Sequence, residues 1–250
     1  MIAGPFHEEL AALRQEHGAG ALTRIDRFLA NDPGDVSLRH PRQQPTRHIV
    51  PGLSTRPWLS LEEHPQLRTA GAALQGRHAE IKQEILARIA HGPLDYYRTS
   101  FDQRNEKWRS VYLARDGVLD ERQRAQFPLT MGLVEQHFRE HLYPLGEVFF
   151  SALQPAGYIG RHCDTANFFV CLHFSVCVPP RCGLSVAGES RTFQENELYL
   201  FDHSYEHEAW NWSPQCRINL LFDLWHPGLS AVERHALAAC FRKMYTQVRT

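Results

Sequence analysis

The chain has 250 residues, 43% of them hydrophobic, and its 28 acidic and 27 basic side chains leave a formal net charge of -1. That length suits one sizeable catalytic domain, and the charge balance lacks the basic footprint that nucleic-acid binding needs. No apolar run approaches the roughly 20 residues that span a bilayer, and the N-terminal MIAGPFHEELAALRQEH has no secretory h-region. A cytoplasmic protein without membrane or nucleic-acid partners is expected.

The apolar positions Leu10, Leu13, Leu22, Ile25, Phe28 and Leu29 recur at helical spacing around a Gly18 to Gly20 turn signal, which predicts a small helical hairpin. Asn31 to Pro45, with Pro33, Gly34, Pro41 and Pro45, has the composition of a linker. Residues 1–45 therefore read as an N-terminal helical segment with its linker, and 46–250 as the catalytic domain. Helical periodicity returns from His64 to Ala90, where Leu67, Leu74, Ile81, Ile85 and Ile89 can share one buried stripe.

After Gly92 the texture changes to short segments rich in aromatic and β-branched residues: Trp108 to Leu113, Glu147 to Leu153, Asn167 to Val178, Gly183 to Phe193, Glu195 to Asp202 and Arg217 to Trp225. A helix over Leu129 to Leu142 interrupts them, and Ser230 to Val248 forms a closing helix. The expected fold is mainly β with flanking helices, an antiparallel barrel or jelly roll. The six cysteines, Cys163, Cys171, Cys177, Cys182, Cys216 and Cys240, form no CxxC pair. They read as reduced, mostly buried thiols.

His162 and Asp164 stand two residues apart in RHCD, a spacing that puts both side chains on one face of an extended segment. His207 follows in SYEHEAWN. Two imidazoles and a carboxylate form the 2-His-1-carboxylate facial triad of non-haem Fe(II) oxygenases, which leaves coordination positions open. An HxD pair alone is a chance-level signal in a chain with 15 histidines, and a lone His207 reads as readily as a core or capping histidine. Arg217 shifts the balance. It opens an apolar strand, where a buried guanidinium needs an anionic partner, and its fork suits a carboxylate. Ser151 and His173, on neighbouring strands, can contact the same carboxylate. Each also has a plain structural reading. Asp202, Glu206 and His226 read as structural or orienting residues.

The segments VFFSALQPAGYIGRHCDTANFF, LYLFDHSYEHEAWN and RINLLFDLWHPGL resemble the aspartyl/asparaginyl β-hydroxylase family, as do HIVPGLSTRPW and NEKWRSVYL upstream. The resemblance implies a double-stranded β-helix (cupin-like), with His162 and His207 as iron ligands and with Ser151, His173 and Arg217 holding 2-oxoglutarate. Two positions depart from the animal enzymes. Asp164 stands where they have glycine, and so completes an ordinary triad as in bacterial proline and lipid hydroxylases. Cys171 stands where the peptide-modifying enzymes place an arginine.

The implied activity is hydroxylation of an unactivated C–H, at a β-carbon, using Fe(II), 2-oxoglutarate and O2. Its substrate is an amino acid or aminoacyl residue that is free as a small molecule, tethered to a carrier protein or in a peptide. No substrate-recruiting repeat precedes the catalytic part, which favours the small substrate, and the lack of a basic amphipathic stretch disfavours a lipid. The other readings are an aspartyl/asparaginyl hydroxylase of a protein substrate and a non-catalytic, metal-binding cupin-type sensor.

Overall fold

Successive side chains of a strand point to opposite faces, so a strand covered on both sides is apolar at nearly every position. VFFSAL, over Val148–Leu153, is buried at all six positions, and Phe169–Cys177 at all but the last. In the computed structural model, which describes residues 7–31, 40–45, 48–53, 55–97 and 105–248, both strands lie between a layer of helices and a second sheet.

The elements run α1 (His7–His17), α2 (Thr23–Leu29), β1 (Trp58–Leu59), α3 (Pro65–Gln75), α4 (His78–Ala90), β2 (Asp95–Tyr96), β3 (Trp108–Arg115) and β4 (Val118–Leu119). They continue through α5 (Pro128–Leu133), β5 (Val148–Leu153), β6 (Gly157–His162), β7 (Phe169–Cys177) and β8 (Cys182–Val186). The last are β9 (Glu189–Thr192), β10 (Leu198–Phe201), β11 (His207–Asn211), β12 (Arg217–Trp225) and α6 (Ala231–Val248). Eight strands form one antiparallel sheet in the order β1-β10-β7-β12-β5-β3-β2, with β4 on β3, and four form a second in the order β6-β11-β8-β9.

The outer face of the large sheet, with Phe150, Leu172, Phe174, Leu220 and Phe222, packs on Leu67 and Leu74 of α3, Ile81 and Ile85 of α4, and Met131 of α5. Its inner face, with Phe149, Cys171, Phe201 and Leu221, meets Leu184, Val186 and Ala209 of the small sheet. Two facing antiparallel sheets of this kind are the jelly roll, or double-stranded β-helix. Helices cover one side of it, as the strand pattern predicts.

Several elements differ from the sequence expectation. The continuous helix over His64 to Ala90 is two helices broken at Gly76 and Arg77, because glycine weakens a helix interior and each half lays its own stripe on the sheet. Ile89 is only half-buried, at the margin of the same cluster. The helix expected over Leu129 to Leu142 stops at Leu133. Val134–Phe138 winds on as a π turn, delivering Phe138 to stack on Phe222 with ring centroids 4.4 Å apart. Gly183 to Phe193 is a hairpin, β8 and β9, turning at Ala187 and Gly188 with φ of 52° and 87°.

The N-terminal hairpin seats Leu10, Leu13, Leu22 and Ile25 against Ala236, Leu237 and Phe241 of α6. Within the linker expected over Asn31 to Pro45, residues 32–39 lie outside the described residues. Gln43, however, is buried, and its Nε2 donates to Ser204 Oγ at 3.0 Å. No helix among the described residues is long and apolar enough to cross a membrane.

Candidate functional site

His162 closes β6 and His207 opens β11, and the two are register partners across the β6–β11 ladder. Their rings stand 4.1 Å apart between centroids. His162 Nδ1 lies 2.8 Å from the Gly160 carbonyl, and His207 Nδ1 lies 2.8 Å from the Tyr205 carbonyl. A carbonyl only accepts, so each Nδ1 carries the proton and each neutral ring keeps its Nε2 lone pair free.

Asp164 follows β6 in a loop. Its backbone N–H donates to the His203 carbonyl at 2.9 Å, and His203 Nδ1 donates to its Oδ2 at 2.9 Å. One ligand atom from each of His162, Asp164 and His207 falls within 4.8 Å of the others. Burial opposes the Asp164 charge, but His203 and the two other histidines outweigh it and hold the carboxyl below the usual carboxylate range. Burial, and then the neighbouring His162, push His207 down to about 3. The cluster thus presents two imidazole Nε2 atoms and one ionised oxygen.

The same cavity, about 1030 Å³, is lined at another part by Arg217, Ser151 and His173. Arg217 is buried to 1% exposure, and among the described residues its Nε has no hydrogen-bond partner and no carboxylate bonds it. Burial alone brings it down to about 10. The partner a buried cation requires is not supplied by the described residues of the fold. Ser151 Oγ accepts from Trp108 Nε1 at 2.9 Å. An indole N–H only donates, so the Ser151 hydroxyl proton remains available. His173 is buried, and burial followed by the Arg217 charge holds its ring well below the usual imidazole range. All six residues singled out in the sequence therefore line one cavity.

The structure adds residues the sequence did not single out. His203 is one of them, although it stands only four positions before His207 in the same motif. Asn219, fully buried between Arg217 and Leu221, has an Oδ1 with no partner among the described residues. Glu147 and Asp223 line the cavity wall, where Asp223 Oδ2 accepts the Glu147 backbone N–H at 3.0 Å. Burial first and then the charge of Asp223 push Glu147 up to about 7, and burial pushes Asp223 up to about 6. The nearest cation described is Arg115, 3.9 Å from Glu147. Cys171, opposite Asp223 in the β7–β12 register, is a buried thiol held well above its usual range by burial.

Asp202, Glu206 and His226 stand apart from the cavity lining. Asp202 Oδ1 accepts the Ser204 N–H at 2.9 Å, the Glu206 N–H donates to the Arg42 carbonyl at 2.8 Å, and His226 Nδ1 accepts the Gly228 N–H at 3.0 Å. They shape turns.

The fold and its contents define a cupin-like jelly-roll protein whose interior gathers a His-Asp-His cluster and an arginine with no carboxylate partner among the described residues. The chain belongs to the aspartyl/asparaginyl β-hydroxylase family, whose sequence model matches residues 75–227. It is 25% identical over 199 residues to the human aspartyl/asparaginyl beta-hydroxylase, covering 78% of this chain and 26% of the human protein. It is 30% identical over 141 residues to human aspartate beta-hydroxylase domain-containing protein 2, covering 54% of this chain and 38% of that protein. The chain thus spans well under half the length of these relatives. Among solved structures, a Trichoplax adhaerens prolyl hydroxylase in complex with a hypoxia inducible factor peptide fragment aligns with 12% identity and a TM-score of 0.47. That alignment covers 72% of this chain and 96% of the other.

Proposed function

We propose that the chain is an Fe(II)- and 2-oxoglutarate-dependent oxygenase that hydroxylates an unactivated C–H, at a β-carbon, of an amino acid or aminoacyl residue. One observation carries the reading: a cluster of two free Nε2 atoms and a carboxylate shares its cavity with a buried guanidinium that no described carboxylate partners. A cluster of two imidazole nitrogens and one carboxylate oxygen suits iron(II), and the orphaned Arg217 suits the distal carboxylate of an oxoacid. A metal-binding sensor without turnover has no use for the second feature.

Bound together, iron(II), 2-oxoglutarate and O2 supply the oxidising chemistry that places a hydroxyl on a C–H carbon. The protein's own work is to hold and to exclude. His162 and His207 offer Nε2, Asp164 offers Oδ1, and the cavity side is left open for ligands. Arg217 grips the far carboxylate, Ser151 donates its free hydroxyl proton to the same group, and His173 adds a neutral ring beside it. Phe149, Leu184, Ala209 and Leu221 keep this part of the cavity apolar, which limits water.

The substrate half carries the Glu147 and Asp223 carboxylates and a neutral Cys171. That wall repels an acidic side chain and favours a substrate presenting an ammonium group, which supports an amino acid or aminoacyl residue over an aspartyl residue of a protein. The test is succinate release from 2-oxoglutarate, measured against free amino acids, aspartyl peptides and carrier-bound aminoacyl groups. Coupled turnover with an amine-bearing amino acid or aminoacyl group is expected. Turnover restricted to aspartyl peptides overturns the substrate assignment, and no substrate-coupled succinate with any class overturns the enzyme.

A further inference from the structure

We infer that His203 is a positioning residue that restricts Asp164 to metal ligation through a single oxygen. The inference rests on the metal reading proposed above and concerns how this chain's own residues shape that centre. Two hydrogen bonds tie the pair together although 39 positions separate them in sequence: Asp164 N–H to the His203 carbonyl at 2.9 Å, and His203 Nδ1–H to Asp164 Oδ2 at 2.9 Å. The His203 ring is itself fixed. Its side chain is 4% exposed and stands edge-on to Phe169, with centroids 4.3 Å apart and planes at 88°. Asp164, by contrast, sits in a loop at the cavity wall with its side chain 43% exposed, and its hydrogen bond to His203 orients the carboxylate.

The consequence is geometric. A carboxylate with both oxygens free can chelate a metal and occupy two positions. One whose Oδ2 is already engaged by a buried donor offers Oδ1 alone. Three protein donors on an octahedral ion leave three positions, enough for a bidentate oxoacid and one further ligand. A chelating Asp164 would leave two.

The burial of His203 also bears on its role. Its Nε2 is buried with no hydrogen-bond partner among the described residues, a cost that a phenylalanine or leucine packed in the same place would not carry. Packing alone does not account for a histidine here. The Nδ1 donor does, since outer partners of metal ligands orient them and their loss weakens metal binding by about 10–100-fold.

The test compares His203→Asn with His203→Leu, two side chains of similar size that both lack the ring, of which only asparagine can donate near the place of Nδ1. Metal affinity is read by titration with Co(II), an oxygen-stable probe, and ligation by the Co(II) visible spectrum and X-ray absorption. His203→Asn should stay near the wild-type affinity and spectrum. His203→Leu should bind about 10–100-fold more weakly, with its spectrum shifted by the second carboxylate oxygen. Equal behaviour of the two variants, or wild-type affinity and spectrum in His203→Leu, overturns the positioning role. Asp164→Ala and His207→Ala serve as the separate control on the site. If they lose Co(II) while the His203 variants match wild type, the metal centre stands and this inference falls. If they bind Co(II) like wild type, the metal reading itself falls and takes the inference with it.

Discussion

His162 and His207 face each other as register partners on β6 and β11, with their Nδ1 protons committed to the carbonyls of Gly160 and Tyr205. Each histidine reaches back two residues along its own strand or turn, so the same local device fixes both rings. Removing either imidazole should abolish Co(II) or Fe(II) binding in calorimetry. Loss of the partly exposed His162 should leave the thermal midpoint of the metal-free protein within a few degrees, whereas loss of His207, buried edge-on to Phe201, should lower it. Retention of wild-type affinity in His207→Ala would remove that histidine from the ligand set.

Arg217 makes a less intuitive case. A buried charge without an internal partner costs several kcal/mol in the free protein, and a ligand carboxylate would offset that cost. Arg217→Met should therefore raise the stability of the ligand-free fold by about 1–4 kcal/mol. Loss of charge-assisted hydrogen bonds worth about 1.5–3 kcal/mol each should at the same time weaken 2-oxoglutarate by ten-fold or more. Chemical denaturation with and without 2-oxoglutarate reads both effects. A variant that is less stable and binds 2-oxoglutarate normally would mean that Arg217 serves the fold.

Glu147 and Asp223 set a pH dependence. Burial raises both carboxyls, Glu147 to about 7 and Asp223 to about 6, so the wall gains negative charge as pH rises through that range. The KM of an ammonium-bearing substrate should fall between pH 5.5 and 8, and the Glu147→Gln/Asp223→Asn double variant should flatten the trend. Stability moves the opposite way. A carboxyl whose folded pKa lies above its unfolded one contributes stability that is present at low pH and lost as pH rises through the folded value. The double variant should thus exceed wild type in stability at pH 8 and lose that advantage near pH 4. A substrate KM that ignores pH in the wild type would dissociate these carboxylates from binding.

The sheet that carries the site was legible where strands are buried on both sides. VFFSAL, FVCLHFSVC and RINLLFDLW announce themselves by composition, and they position Ser151, His173 and Arg217. The small sheet was harder to read. GYIGRH of β6 carries two glycines and exposed positions, and HEAWN of β11 has only two apolar residues, so neither shows a strand's alternation. The histidines they hold were found from motif spacing and family resemblance, without the strands. His203 and the Glu147–Asp223 wall were hidden for another reason. Their meaning lies in contacts between residues far apart in sequence, made by the turn after β10 and by the β5–β12 pairing, which no local pattern encodes. The break at Gly76 and the π turn at Val134–Phe138 likewise follow from how helices seat on the sheet.

The anaerobic absorption spectrum of the protein with Fe(II) and 2-oxoglutarate tests the His162, Asp164, His207 and Arg217 assignment most directly. Adding 2-oxoglutarate to the Fe(II)-loaded protein should raise a weak visible charge-transfer band, as expected for an oxoacid chelated at a facial-triad iron. The band should vanish in His207→Ala and require far more 2-oxoglutarate in Arg217→Met. A metal-loaded protein that shows no such band, or shows it unchanged in both variants, would contradict the assignment.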